Sequence, residues 1–213
     1  ALPRREDPRD AIATITGGDL DSLPDGARIG TSSLRRMAQL KAKYPSFEFI
    51  SIRGNIQTRL SKLGEEVDVV ILAAAGVCRM GMQDKMHQFM DTGLMLPAVA
   101  QGTLGIQTRN GDDMVNALVD QLNDHETIVC TTAERAFLAR LEGGCQVPIA
   151  AFATLDGDQL LLKGLVGDVD GSDVIAREVQ GLASDAEQMG ITLADEILDA
   201  GARPILEELY AAQ

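Results

Sequence analysis

The chain has no tryptophan and only 3% aromatic residues, so a base-stacking platform for nucleic acid is not expected. It has two histidines, His87 and His125, and three widely spaced cysteines with no CxxC pair. A disulfide framework and a Cys/His zinc site are therefore both disfavoured. No apolar run approaches the roughly 18 residues of a membrane span. A signal peptide, with its basic, apolar and small-residue regions, does not follow Ala1. Nor is there an excess of positive charge: the net charge is −13, which opposes general nucleic-acid binding through counterion release.

What is present is ordinary for a globular protein: 213 residues, 45% apolar and 24% charged, with room for one large domain or two small ones. The charge is uneven. Arg28, Arg35, Arg36, Lys41, Lys43, Arg53, Arg59 and Lys62 share a window with a single acid, Glu48. That window carries +7 against −20 for the remainder. Two solvated helix faces would account for such an island, and so would a local site for an anion.

Spacing favours the anion site. Ala27–Gly30 reads as a short strand, and Thr31-Ser32-Ser33 as a helix N-cap cluster. A helix over 34–43 follows, with Leu34, Met37 or Ala38, and Leu40 inward, and stops before Pro45. Phe47–Ile52 is β-rich, Arg53-Gly54-Asn55 is a turn, and Ile56, Leu60 and Leu63 mark one face of a second helix. Val67–Ala75 is a nearly unbroken apolar run, as in a central parallel strand. Alternating strands and helices make an α/β layer whose ligands sit beyond the carboxyl ends of the strands. Thr31, Ser33, Arg35, Arg36, Arg53 and Asn55 fall in those strand-to-helix turns. Neither GxxxxGK[ST] nor GxGxxG occurs there, so this is not a phosphate loop.

Further on, 76–90 reads as helical with Arg79 at its start, 97–101 as a turn and 102–109 as a strand. A helix over 112–122 has Met114, Val115, Leu118 and Leu122 inward. Another covers 125–141 and exits through left-handed residues at Gly143-Gly144. Strands over 149–155, 159–166 and 173–180 are joined by turns at Asp156-Gly157 and Asp170-Gly171. Ser184 and Glu187 form a capping box for a helix ending near Gly201, and a last helix turns Ile205, Leu206 and Leu209 inward. Sequential antiparallel strands followed by helices make a second, α+β domain, with a boundary near 121–126.

Cys78 and Cys130 read as buried core thiols. Cys145 lies in the glycine-rich loop Glu142-Gly143-Gly144-Cys145-Gln146-Val147-Pro148, where a thiol is open to covalent chemistry but has no evident base beside it. A covalent tether demands less of that thiol than repeated turnover.

Several stretches together resemble the porphobilinogen deaminase (hydroxymethylbilane synthase) family. They are Arg5–Ala11, Thr31-Ser32-Ser33-Leu34-Arg35-Arg36, Arg53-Gly54-Asn55 with Thr58-Arg59-Leu60, Leu96–Gly102, and above all Leu141–Pro148. The resemblance implies a transferase of tetrapyrrole (haem or chlorophyll) biosynthesis. It joins four porphobilinogens head to tail with loss of ammonia, on a dipyrromethane cofactor held by a thioether, here at Cys145. Thr31, Ser33, Arg35, Arg36, Arg53, Asn55, Arg59 and Arg79 would line the cleft, where arginines suit the dozen or so carboxylates of the growing oligopyrrole. The implied layout is a periplasmic-binding-protein-like α/β domain over 1–101, a crossover over 102–121 and an α+β domain with a three-stranded antiparallel sheet over 122–213. Roughly the first hundred residues of the family, with its catalytic aspartate, have no counterpart here. The chain thus reads as a fragment, a truncated reading frame or one part of a cleaved protein, inactive alone, with no catalytic residue of its own and the missing half as a partner. No metal, nucleic acid or membrane is expected; a cytoplasmic monomer is. A non-catalytic carboxylate-binding module is the alternative, and a purely structural interaction domain the less favoured one.

Overall fold

The computed structural model describes residues 1–143 and 147–211. Two sheets organise the chain. The first contains β1 (Asp10–Thr14), β2 (Arg28–Gly30), β3 (Glu48–Ile50), β4 (Val69–Ala73) and β5 (Gln88–Phe89), in the order β3-β2-β4-β1-β5. β2 runs parallel to β3 and β4, whereas β1 is antiparallel to β4 and β5. The alternation expected of strands is complete in β4 and β1. Ile12, Val69 and Ile71 meet Leu20, Leu40, Met90 and Met95 on one face, while Ala11, Ala13, Val70 and Leu72 meet Ile52, Val77 and Met86 on the other. Helices α1 (Leu34–Lys43), α2 (Ile56–Leu60) and α3 (Ala74–Arg79) follow β2, β3 and β4 in turn.

The second sheet is the antiparallel β6 (Ile149–Asp156), β7 (Gln159–Gly167) and β8 (Val174–Leu182), in that order. Helices α5 (His125–Arg140), α6 (Ala186–Ile197) and α7 (Arg203–Ala211) share its core. Gly164 lets Phe137 and Leu193 lie against β7: a Cβ there would stand 2.7 Å from the Phe137 ring. Gly190 likewise brings α6 onto the α5 backbone at Ala133.

Several expectations need correction. Residues 76–90 are not one helix; α3 ends at Arg79, and a short 3-10 turn leads into β5, whose partner β1 competes for the backbone. Residues 102–109 do not form a strand, because a strand needs a ladder and, among the described residues, the segment has one reciprocal pair, Ala1 with Ile106 at 3.0 and 2.9 Å, and a single Glu6 N–H to Gly102 O bond at 3.3 Å. The helix expected over 112–122 exists as α4 (Asp113–Val119), but Met114, Leu118 and Leu122 are more than half exposed, since no described element packs on that face. On α1 the buried side carries Arg35, Arg36, Ala38, Gln39 and Leu40.

The exit of α5 is also different. Glu142, not glycine, takes the left-handed conformation (φ 54°). Its N–H bonds to Ala139 O and that of Gly143 to Leu138 O, a Schellman closure. Gly143 is needed for space instead: a Cβ would sit 2.6 Å from Leu138 and Ile149. Gly144 lies outside the described residues. The Ser184/Glu187 capping box is absent, because a 3-10 turn over 183–185 places Asp185 at the N-cap, where it makes no side-chain cap bond. Cys130 is buried as expected, while Cys78 is only half-buried.

Candidate functional site

Because β3, β2 and β4 are neighbours and parallel, their carboxyl ends open on one edge of the sheet. The basic residues emerge at that edge. After β2, Thr31 is buried and its Oγ1 accepts the Ser33 N–H at 3.2 Å. Ser33 caps α1. After β3, Arg53 is exposed, and Asn55 caps α2 by accepting the Thr58 N–H at 2.9 Å. Arg59 is half-buried and donates to Gly54 O at 2.9 Å. Burial, and then the neighbouring charge of Arg36, lower its pKa. Arg79, at the end of α3, is exposed and donates to Gly102 O at 2.9 Å.

Arg35 and Arg36, expected to line the cleft, differ from the other arginines in their burial. Both are buried, and both face Asp10, which is fully buried on β1. Arg36 donates from Nε and Nη2 to Asp10 Oδ1 at 3.1 and 2.7 Å, and from Nη1 to Ile71 O at 3.0 Å. Its guanidinium is thereby committed to the protein. Arg35 Nη1 lies 2.7 Å from Asp10 Oδ2 and donates to Leu96 O at 2.8 Å. Burial alone would push Asp10 up, but the two guanidiniums outweigh it and hold the carboxyl below its usual range. Burial pulls Arg35 down, and the Asp10 charge keeps it protonated. Two cations share one anion, so the cluster leaves one positive charge under the strand ends.

A cavity of about 290 Å³ adjoins this cluster, lined by Ser33, Arg35, Ala98, Val99, Leu138, Val147 and Ile149. Its walls thus come from α1, the 97–101 turn, α5 and the segment leading into β6, and Val147 is two residues along the chain from Cys145. Cys145 itself lies outside the described residues. The other thiols are poor nucleophiles: burial, then Glu134, push Cys130 up to about 12, and burial, then Glu6, raise Cys78.

Three residues at the site were not singled out by sequence: Asp10, Gln101 and Glu134. Glu134, fully buried on α5, accepts from Arg5 at 2.6 and 3.2 Å, from Ala100 N–H at 2.6 Å and from Ala153 N–H at 2.9 Å. It joins the chain start, the 97–101 turn and β6. A charged residue one helical turn from Cys130, Phe137 and Leu138 was the available signal.

Guanidiniums at the parallel strand ends of an α/β fold, one of them lining a cavity walled from both sides, mark the candidate site. Comparison with known proteins narrows this. Residues 1–117 match the family model "Porphobilinogen deaminase, dipyromethane cofactor binding domain", and residues 128–199 match "Porphobilinogen deaminase, C-terminal domain". A porphobilinogen deaminase of Roseiflexus sp. (strain RS-1) is 47% identical over 207 residues, covering 97% of this chain and 68% of that relative. The chain belongs to the porphobilinogen deaminase family.

Proposed function

We propose that this chain provides the carboxylate-binding and tether-bearing part of a hydroxymethylbilane synthase, which condenses porphobilinogen units with loss of ammonia. The observation that carries this reading is that Arg35, beneath the strand ends, lines a cavity whose wall also includes Val147, two residues along the chain from Cys145. Arg53, Arg59 and Arg79 keep N–H groups for acetate and propionate side chains, bound as charge-assisted pairs. Thr31, Ser33 and Asn55 shape the turns that aim them. Arg36 contributes mainly field, since each of its three guanidinium nitrogens already donates to Asp10 or Ile71 O. Arg35 lines the cavity and retains an Nε–H with no hydrogen-bond partner among the described residues.

The donor set fits a dipyrromethane: unspent guanidiniums for its carboxylates and an apolar wall of Ala98, Val99, Leu138 and Ile149 for its rings. Held at Cys145 through a thioether, such a group would supply the primer onto which pyrroles are added. Among the described residues no carboxylate lines this cavity, and the nearby Asp10 is buried and paired with two arginines. We therefore expect residues 1–213 alone to form no product, and the catalytic acid to come from elsewhere in the complete protein. The division into 1–101, 102–121 and 122–213, the likeness of the first part to periplasmic binding proteins, a monomeric state and a cytoplasmic location belong to the same reading. No described helix is long and apolar enough to cross a membrane.

The test is turnover of porphobilinogen by protein expressed from the complete coding sequence, followed by ammonia release and by uroporphyrin after oxidation. Binding without consumption would favour a carboxylate-binding module instead.

A further inference from the structure

Ala100 is one of two non-glycine residues among those described with a left-handed backbone (φ 58°), and its N–H is held by Glu134 Oε2 at 2.6 Å. Two residues later, Gly102 (φ 90°) passes so close to the chain start that a Cβ would lie 2.5 Å from Glu6 O. A strained backbone just before a residue, and a glycine required by close packing just after it, imply that the residue's direction matters. That residue is Gln101. Its Nε2 faces Pro8 O at 2.6 Å, Arg9 O at 3.2 Å and Asp10 Oδ1 at 3.2 Å. Three acceptors at one end of the amide fix its orientation, since only the NH₂ group can face them. Its Oε1 is thereby turned to Arg35, accepting from Nη2 at 3.4 Å, while its backbone carbonyl accepts from Arg5 Nε at 2.8 Å.

We infer that Gln101 is a positioning residue for the proposed reaction: it aims the Arg35 guanidinium at the cavity and, through Arg5 and Glu134, fixes that guanidinium relative to α5, the helix that leads into the Cys145 loop. Arg35 has five N–H groups. Nη1 is taken by Leu96 O and Asp10, and one Nη2 hydrogen by Gln101. With the plane pinned on those sides, the Nε–H keeps a single direction. Without Gln101, Asp10 and Leu96 O still hold Arg35, but the third restraint on its plane is gone. The same glutamine ties the strand-end site to a buried joint that reaches β6 through the Ala153 N–H.

This inference rests on the functional reading above. Its test is steady-state kinetics of the complete protein on porphobilinogen for wild type, Gln101→Leu, Arg35→Ala and the double variant, with thermal melting of each. The expected result is a KM at least tenfold higher for Gln101→Leu with kcat lowered less. The double variant should be no worse than Arg35→Ala, because Gln101 acts through Arg35. Gln101→Glu should not rescue, since it keeps an acceptor for Arg35 but loses both donors and adds a charge beside Asp10. A Gln101→Leu protein with wild-type KM, with kcat and KM altered only in step with a lowered melting temperature, or with effects additive to Arg35→Ala would overturn the inference alone. A wild-type protein that neither binds nor consumes porphobilinogen would overturn the functional reading and this inference together.

Discussion

Replacing Asp10 by asparagine should be among the costliest single changes in the first domain. The carboxylate has no exposed surface and lies 2.7 Å from each of two guanidiniums that are themselves buried. Asparagine keeps the volume but leaves two buried cations with no anion. Removing one partner of a buried pair costs about 3–5 kcal/mol, and a chain of this size loses roughly 2–4 °C of Tm per kcal/mol, so a fall of about 6–20 °C is expected. The Lys62–Glu66 pair is the control: it lies on the surface, four residues apart. Glu66→Gln should cost no more than about 0.5 kcal/mol. The pH dependence has a definite sign. Asp10 is held below its ordinary value of 3.8 in the folded chain, so it binds its proton less readily there than when unfolded. Its stabilisation is complete above that ordinary value and is lost as pH falls through the lower, folded one. The gap in melting temperature between wild type and Asp10→Asn should thus be constant from neutral pH to about pH 5 and close below about pH 4. Differential scanning calorimetry across that range reads it. A gap under about 2 °C at pH 7, or one that widens in acid, would show that the two arginines do not depend on Asp10.

Other outcomes follow from single sites. Arg53→Ala, Arg59→Ala and Arg79→Ala in the complete protein should each weaken porphobilinogen binding by about 1.5–3 kcal/mol, or one to two powers of ten in Kd by titration calorimetry. Lysine at these positions should restore only part of that, because the planar fork is lost. Glu142→Gly should raise stability by roughly 1 kcal/mol in urea melts, since it relieves a left-handed backbone that glycine adopts freely. Cys130 should resist iodoacetamide at pH 8 in the native state, with its thiol pushed up to about 12 by burial, whereas the half-buried Cys78 should react first of the two.

The strand ends were legible because the local code there is strong. Ser33 and Asn55 are N-caps by residue type as well as in fact, and the 67–75 run has the length and branching of a buried strand. The second sheet was legible for the same reason, with Asp-Gly turns setting its hairpins. β1 was missed because Asp10-Ala11-Ile12-Ala13-Thr14 is short and includes an aspartate and two alanines, which are depleted in strands; pairing with β4 and β5 imposes the strand. α4 was read correctly as amphipathic, yet its apolar face is exposed, since periodicity tells which face is apolar and not whether anything covers it. The arginines at 35 and 36 show the limit for sites. Their spacing marked them as basic and turn-proximal, but only the fold brings Asp10 beneath them and gives both guanidiniums a buried protein partner.

The central claim is that Cys145 carries the tether. Intact mass and peptide mapping of the active, complete protein test it most directly. The account predicts a mass excess of two pyrrole units located on the peptide containing Cys145 and lost, together with turnover, in Cys145→Ser. An adduct on Cys78 or Cys130, or full turnover by protein with no adduct at Cys145, would contradict it.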